Sequence, residues 1–143
     1  MIERIVRNER AMYEFGAELL STLPDQGVVY LNGQLGAGKT TLVRAILKAA
    51  GYQSHVKSPT FTLVEDYQLP ERRFLHFDLY RLIDPEELEW LGIRDYLAGA
   101  LLLIEWADSG KGYVPDPDLL IDIEIINQSK RKLSLSGACV DSS

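Results

Sequence analysis

The sequence predicts an α/β domain of three layers, α/β/α, around a mixed sheet that is parallel at its centre and antiparallel at its edges. Three observations carry this prediction. Val28-Val29-Tyr30-Leu31 is a β-branched and aromatic run of strand type, and Lys39 to Ala50 carries apolar residues at helical spacing. Between them stands Gly33-Gln34-Leu35-Gly36-Ala37-Gly38-Lys39-Thr40, which fits the pattern G-x-x-x-x-G-K-[ST] at every fixed position. Later, Leu101-Leu102-Leu103-Ile104 reads as a central strand buried on both faces and runs into Glu105.

The elements follow in order. Ile2 to Val6 suits a short edge strand, and Asn8 is placed to cap a helix whose Met12, Phe15, Leu19 and Leu20 share one face. Pro24-Asp25-Gln26-Gly27 is turn chemistry leading into the strand before the glycine-rich loop. In the helix after that loop, Leu42, Val43, Ile46, Leu47 and Ala50 form the buried stripe and Gly51 ends it. Phe61 to Tyr67 and Arg73 to Leu79 both have strand composition and lie too close for a helical crossover, so Leu69-Pro70-Glu71-Arg72 connects a hairpin. Asp84-Pro85-Glu86-Glu87 predicts a helix start with Asp84 at the cap. The apolar cluster Leu88, Trp90, Leu91 and Ile93 is interrupted at Gly92, which suggests two brief helices with Trp90 in the core. Leu119 to Ile126 and Lys132 to Ser136 alternate as a closing antiparallel hairpin, and residues from about 137 to 143 are expected to fray.

Length and charge limit what this chain does. With 143 residues, 46% of them hydrophobic, residues 1–143 suit a single domain. A formal charge of −6 repels nucleic acid phosphates and disfavours strong unaided binding to RNA or DNA. The single cysteine, Cys139, excludes an internal disulfide. No apolar run approaches the ~18 residues of a membrane span and the N-terminus lacks a signal core, so a cytoplasmic protein is expected.

The chemistry-bearing residues cluster around the glycine-rich loop. Gly33, Leu35, Gly36, Ala37 and Gly38 supply a backbone whose N–H groups turn inward at the positive end of a helix, where phosphate oxygens would sit. Lys39 would reach the β- and γ-phosphates, Thr40 would ligate magnesium, and Thr41 would add an α-phosphate contact. This is the expectation for a P-loop NTPase domain with ATP and Mg2+ as ligands. Glu105 has the form of a Walker B carboxylate that emerges beside the loop and completes the metal shell, directly or through water. Asp78, at the end of an apolar strand, is a further metal or water partner. His76 reads as a packed or hydrogen-bonded strand residue. Ser58 and Thr60 flank Pro59 in a turn that would sense the γ-phosphate as a switch does, or would only satisfy local backbone groups. Trp106 would pack locally, stack on a ligand or face a partner.

Absences narrow the class. Asn127-Gln128-Ser129-Lys130 lacks the lysine and aspartate of the guanine-reading N-K-x-D element, which favours ATP over GTP. Leu133-Ser134-Leu135-Ser136-Gly137 faintly resembles a transporter ATPase signature but follows the Walker B candidate instead of preceding it. A small-molecule kinase would carry a lid with arginines, and only Arg94 lies between Asp84 and Ala100. A kinase and a nucleotide-dependent assembly module remain the rival readings. Arg81 is a candidate arginine finger, with a surface ion pair as its alternative. For the adenine, only the Asn8-Glu9 region and Lys130-Arg131 offer themselves as neighbours.

With these residues in view, the chain resembles the TsaE family, also called YjeE, the ATPases of bacterial tRNA threonylcarbamoyladenosine biosynthesis. The resemblance covers nearly the whole chain. It rests on Gly33 to Thr41, Ser58-Pro59-Thr60-Phe61-Thr62-Leu63, His76-Phe77-Asp78-Leu79-Tyr80-Arg81 and Ile104-Glu105-Trp106, in that order. Gln34 departs from the aspartate usual in the family, and ATP binding is expected to survive because a backbone cradle does not need that side chain. The resemblance implies an ATPase that acts with the TsaB–TsaD complex in threonylcarbamoylation of adenosine 37 of ANN-decoding tRNAs, with tRNA held mainly by the other subunits. It implies catalytic roles for Lys39, Asp78 and Glu105, metal binding at Thr40, Glu105 and Asp78, and partner-facing positions at Ser58, Thr60 and Trp106. Hydrolysis is expected to be slow alone and faster with both partners bound.

Overall fold

The computed structural model describes residues 2–57, 59 and 62–137. Ser58, Thr60, Phe61, Cys139 and the tail expected to fray after Gly137 lie outside the described residues, and with them the proposed switch turn. Strand β1 (Ile2–Val6), helix α1 (Glu9–Leu20), strand β2 (Gly27–Gly33) and helix α2 (Lys39–Ala49) form the first half. The hairpin β3 (Val64–Gln68) and β4 (Arg73–Asp78) follows, then a one-turn helix α3 (Glu87–Trp90) and a 3-10 turn, Ile93–Leu97. Strand β5 (Leu101–Glu105) leads into a second 3-10 turn, Ala107–Gly110, and β6 (Leu119–Ile125) and β7 (Arg131–Gly137) close the fold.

The strands form one seven-stranded sheet in the order β1-β7-β6-β2-β5-β4-β3. The four central strands, β6, β2, β5 and β4, run parallel, and the β3–β4, β6–β7 and β1–β7 pairs are antiparallel. The mixed sheet predicted from the sequence is therefore observed. Alternation along the central strands sorts side chains between two cores. Val29, Leu31, Leu101 and Leu103 pack with Met12, Phe15, Leu42 and Ile46 of α1 and α2. Val28, Leu75, Phe77, Leu102 and Ile104 pack on the other face with Leu88 and Ile93. Each such fully buried side chain is worth roughly 1.5–3 kcal/mol of transfer free energy, so the sandwich of layers follows from strands apolar on both sides.

Asn8 Oδ1 accepts from the Ala11 N–H at 2.8 Å, as an N-cap should. Three expectations need correction. Strand β3 begins at Val64 and leaves out Thr62 and Leu63, because Leu63 takes a left-handed backbone (φ 68°) and its N–H bonds back to the Pro59 carbonyl at 2.8 Å. Asp84 does not cap α3 directly: its carboxylate accepts from the Glu86 N–H at 3.0 Å in a turn, and the helix starts at Glu87 with Glu86 in the cap position. Trp90 is not in the core, being 86% exposed.

Helices α1 and α2 approach so closely that a Cβ at Gly16 would lie 2.4 Å from the Ala45 Cβ. Gly16→Ala therefore forces the helices apart, at a cost of about 1–3 kcal/mol that the ~1 kcal/mol gain in helix propensity only partly offsets. Urea unfolding should show Gly16→Ala destabilised and the double variant Gly16→Ala/Ala45→Gly returned toward the parent; equal destabilisation of both would contradict the contact.

Candidate functional site

The glycine-rich loop lies between the C-terminal end of β2 and the N-terminal end of α2. Gly36 (φ 80°) and Gly38 (φ 109°) both hold left-handed conformations that favour glycine, and Gly38 stands in the cap position of α2 without a side-chain cap. The positive end of α2 therefore lies at the loop.

Parallel register brings the acidic residues to that place. Glu105 pairs with Leu31 on β2 and with Asp78 on β4, so both carboxylates sit side by side at the carboxyl ends of adjacent strands. Thr40 Oγ1 donates to Glu105, 3.0 Å from Oε2 and 3.3 Å from Oε1. On the same carboxylate, the fully buried His76 donates from Nε2 to Oε2 at 2.5 Å, and its Nδ1 has no partner among the described residues. Asp78 Oδ1 accepts from the Tyr80 N–H at 3.1 Å. Burial pushes the Asp78 carboxyl above its ordinary range; the Tyr80 bond opposes this, Glu105 adds to it, and His76 and Lys39 oppose it.

Lys39 is also buried. Its ammonium donates to the Gly33 carbonyl and lies 3.7 Å from the centre of the Trp106 ring. Burial pulls its pKa down, against the raising effect of Glu105 and Asp78. Trp106 adopts a left-handed backbone (φ 60°), rare for a bulky residue, as the chain turns off β5, and its ring packs on Tyr80 at 4.9 Å. Of the three roles open to Trp106, the structure shows local packing on the site lysine.

Two cavities flank the loop. One, of about 470 Å3, is lined by Leu35 to Thr41 together with Asp78, Tyr80, Arg81, Glu105 and Trp106. The other, of about 260 Å3, shares Gly36, Ala37, Gly38 and Thr41 and adds Asn8, Glu9, Met12, Gln128, Ser129 and Arg131. The region suggested for the base is thus beside the loop, with Arg131 but not Lys130 in the lining. Arg131 further braces the loop from outside, Nε donating to the Ala37 carbonyl at 2.9 Å and Nη2 to that of Gly36 at 3.3 Å. The sequence singled out Arg131 as a neighbour of the base and Tyr80 as part of the motif around Asp78, but not the bonds they make to the loop and to Asp78; His76 could be found by its same-face alternation with Asp78. Among the described residues, no group of three or more His, Cys, Asp or Glu side chains is placed to hold a metal ion. The oxygens at hand are the Thr40 hydroxyl and the two carboxylates, a donor set that fits a hard cation retaining most of its water.

A family model described as "Threonylcarbamoyl adenosine biosynthesis protein TsaE" matches residues 6–133. The tRNA threonylcarbamoyladenosine biosynthesis protein TsaE of Haemophilus influenzae is 47% identical over 135 residues, covering 90% of this chain and 85% of that protein. The protein of that name from Aquifex aeolicus is 36% identical, covering 93% and 94%. The crystal structure of Bacillus subtilis YdiB has the same fold, with a TM-score of 0.76 at 24% identity over 95% of this chain and 84% of that one. Among the described residues, no helix is long and apolar enough to cross a membrane.

The raised pKa of Asp78 sets a pH dependence. Between the ordinary aspartate range and the raised value the folded state binds the extra proton, so this group's contribution to stability falls as pH rises through that window. Above it the ionised carboxylate carries the full cost of burial; below the ordinary range the cost is gone. Asp78→Asn, which keeps the Tyr80 bond, should stabilise the protein at neutral pH, with the gain vanishing in acid. Thermal unfolding across pH measures this, and a gain that grows toward low pH would contradict it.

Proposed function

This chain belongs to the TsaE family of threonylcarbamoyl adenosine biosynthesis proteins, and from that premise we propose that it binds and hydrolyses Mg-ATP and acts with the TsaB–TsaD complex. The reaction served is threonylcarbamoylation of adenosine 37 of tRNAs that decode ANN codons. The observation that carries the ATPase reading is the junction of Thr40 with Glu105, beside Asp78 and the buried Lys39, at the N-terminus of α2.

In this reading the loop N–H groups of Gly36, Gly38, Lys39 and Thr40 cradle phosphate oxygens, with Gly33, Leu35, Ala37 and Thr41 completing the cradle. Lys39 leaves the Gly33 carbonyl and the Trp106 ring to donate to the β- and γ-phosphates. Thr40 and Glu105 hold magnesium, with Asp78 as the further acidic ligand. Magnesium, when bound, neutralises charge on the β- and γ-phosphate oxygens. Glu105 and Asp78 divide metal holding and orientation of the attacking water between them, and His76 fixes the rotamer of Glu105 for either task. Arg81, in the lining of the same cavity, is the candidate arginine finger. Trp106 and the turn at Ser58 and Thr60 report occupancy to the partners. The base occupies the smaller cavity, between Asn8-Glu9 and Arg131.

Lys39→Ala should weaken ATP binding by about 2–5 kcal/mol in a calorimetric titration, the loss expected for a buried, hydrogen-bonded charge contact. Glu105→Gln should retain nucleotide and lower single-turnover hydrolysis by roughly 10²–10⁴-fold. Adding TsaB and TsaD should accelerate the parent in the same assay. Unchanged ATP affinity in Lys39→Ala, or equal rates with and without the partners, would overturn the reading.

A further inference from the structure

Helix α3 is held by its inner side and shows an unusual outer one. Leu88 is fully buried, whereas Trp90 is 86% and Ile83 92% exposed. Leu91 adds a third partly uncovered apolar side chain, at 37%. Around them, Asp84, Glu86, Glu87 and Glu89 all face solvent. Helical spacing puts Trp90 one turn beyond Glu86 and Glu87, so the indole stands among carboxylates.

We propose that the segment from Ile83 to Leu91 is a docking surface for a protein partner that offers an apolar pocket to Trp90 inside a rim of lysines or arginines. An exposed tryptophan with neighbouring aliphatic residues is the composition of an interface anchor, and a ring of like charge orients and speeds the approach of the opposite charge. The charge decides among occupants. A second copy docked isologously would set the same four carboxylates against themselves, and an anionic membrane or an RNA would be repelled.

The surface is also wired to the loop. Leu88 and Leu79 close on Gly110 so tightly that a Cβ there would lie 2.6 and 3.0 Å from their Cδ1 atoms. Gly110 ends the turn that starts after Trp106, and Trp106 packs between Tyr80 and the Lys39 ammonium. A continuous set of contacts thus runs from the inner side of α3 to the residues around Lys39.

The test rests on the proposed action with TsaB–TsaD, whose purified complex is the probe, titrated with the full chain in Mg-ATP. Trp90→Ala should weaken binding by roughly 30-fold or more, the loss typical of a tryptophan anchor. The triple variant Glu86→Gln/Glu87→Gln/Glu89→Gln should associate more slowly and lose most of the salt dependence. Ile2→Ala, equally apolar and on the far edge of the sheet, should bind as the parent does. Because Trp90 is exposed, its variant should keep the parent's melting temperature and its ATP affinity as an isolated chain. Parent binding with Trp90→Ala within about twofold of it overturns the docking surface alone. Failure of the parent itself to bind removes the partner reading and this surface with it.

Discussion

The hydroxyl of Thr40 meets the carboxylate of Glu105 where helix α2 begins and strand β5 ends, and the geometry of the site depends on that meeting. Thr40 is placed by the left-handed glycines of the loop, which start α2 without a capping side chain. Glu105 is placed by the parallel register of β5 between β2 and β4, which puts the carboxyl ends of all three strands on one rim. Helix packing supplies the third constraint, since Leu42 and Ile46 must stay buried against Leu31 and Leu103 for the two ends to touch.

The same rim concentrates charge that burial makes costly. Lys39, Asp78, Glu105 and His76 are all buried, and Asp78 and Lys39 have pKa values moved toward their neutral forms. Trp106 holds a rare backbone conformation to lay its ring beneath the Lys39 ammonium. Burial makes these charges costly, and the proposed function gives the lysine a phosphate and the two carboxylates a cation as partners. This is the stability cost commonly stored at a functional site.

Much of this was legible in the sequence because it is local. The loop pattern, the strand before it and the helix after it are defined by contiguous residues, and Leu101 to Glu105 announces a central strand by composition alone. The hairpins could be read from turn residues between alternating runs. Trp90 could not: a helix of four residues is too short for periodicity to say which side faces inward, and Leu88 alone takes the buried position. The start of β3 was hidden by the left-handed Leu63, which strand composition does not reveal. The bond from His76 to Glu105 joins residues 29 positions apart and depends on two strands being neighbours in parallel register. The contacts of Lys39 with the Gly33 carbonyl and the Trp106 ring are not part of the motif, and nothing in its spacing reveals them.

A crystal structure with magnesium and a non-hydrolysable ATP analogue is the most direct measurement. We expect Lys39 to leave Trp106 for the β- and γ-phosphates, and the cation to lie between the Thr40 hydroxyl and Glu105 in place of their present hydrogen bond. Phosphates bound away from Lys39, or Thr40 and Glu105 still bonded to each other with the metal elsewhere, would contradict the site described above.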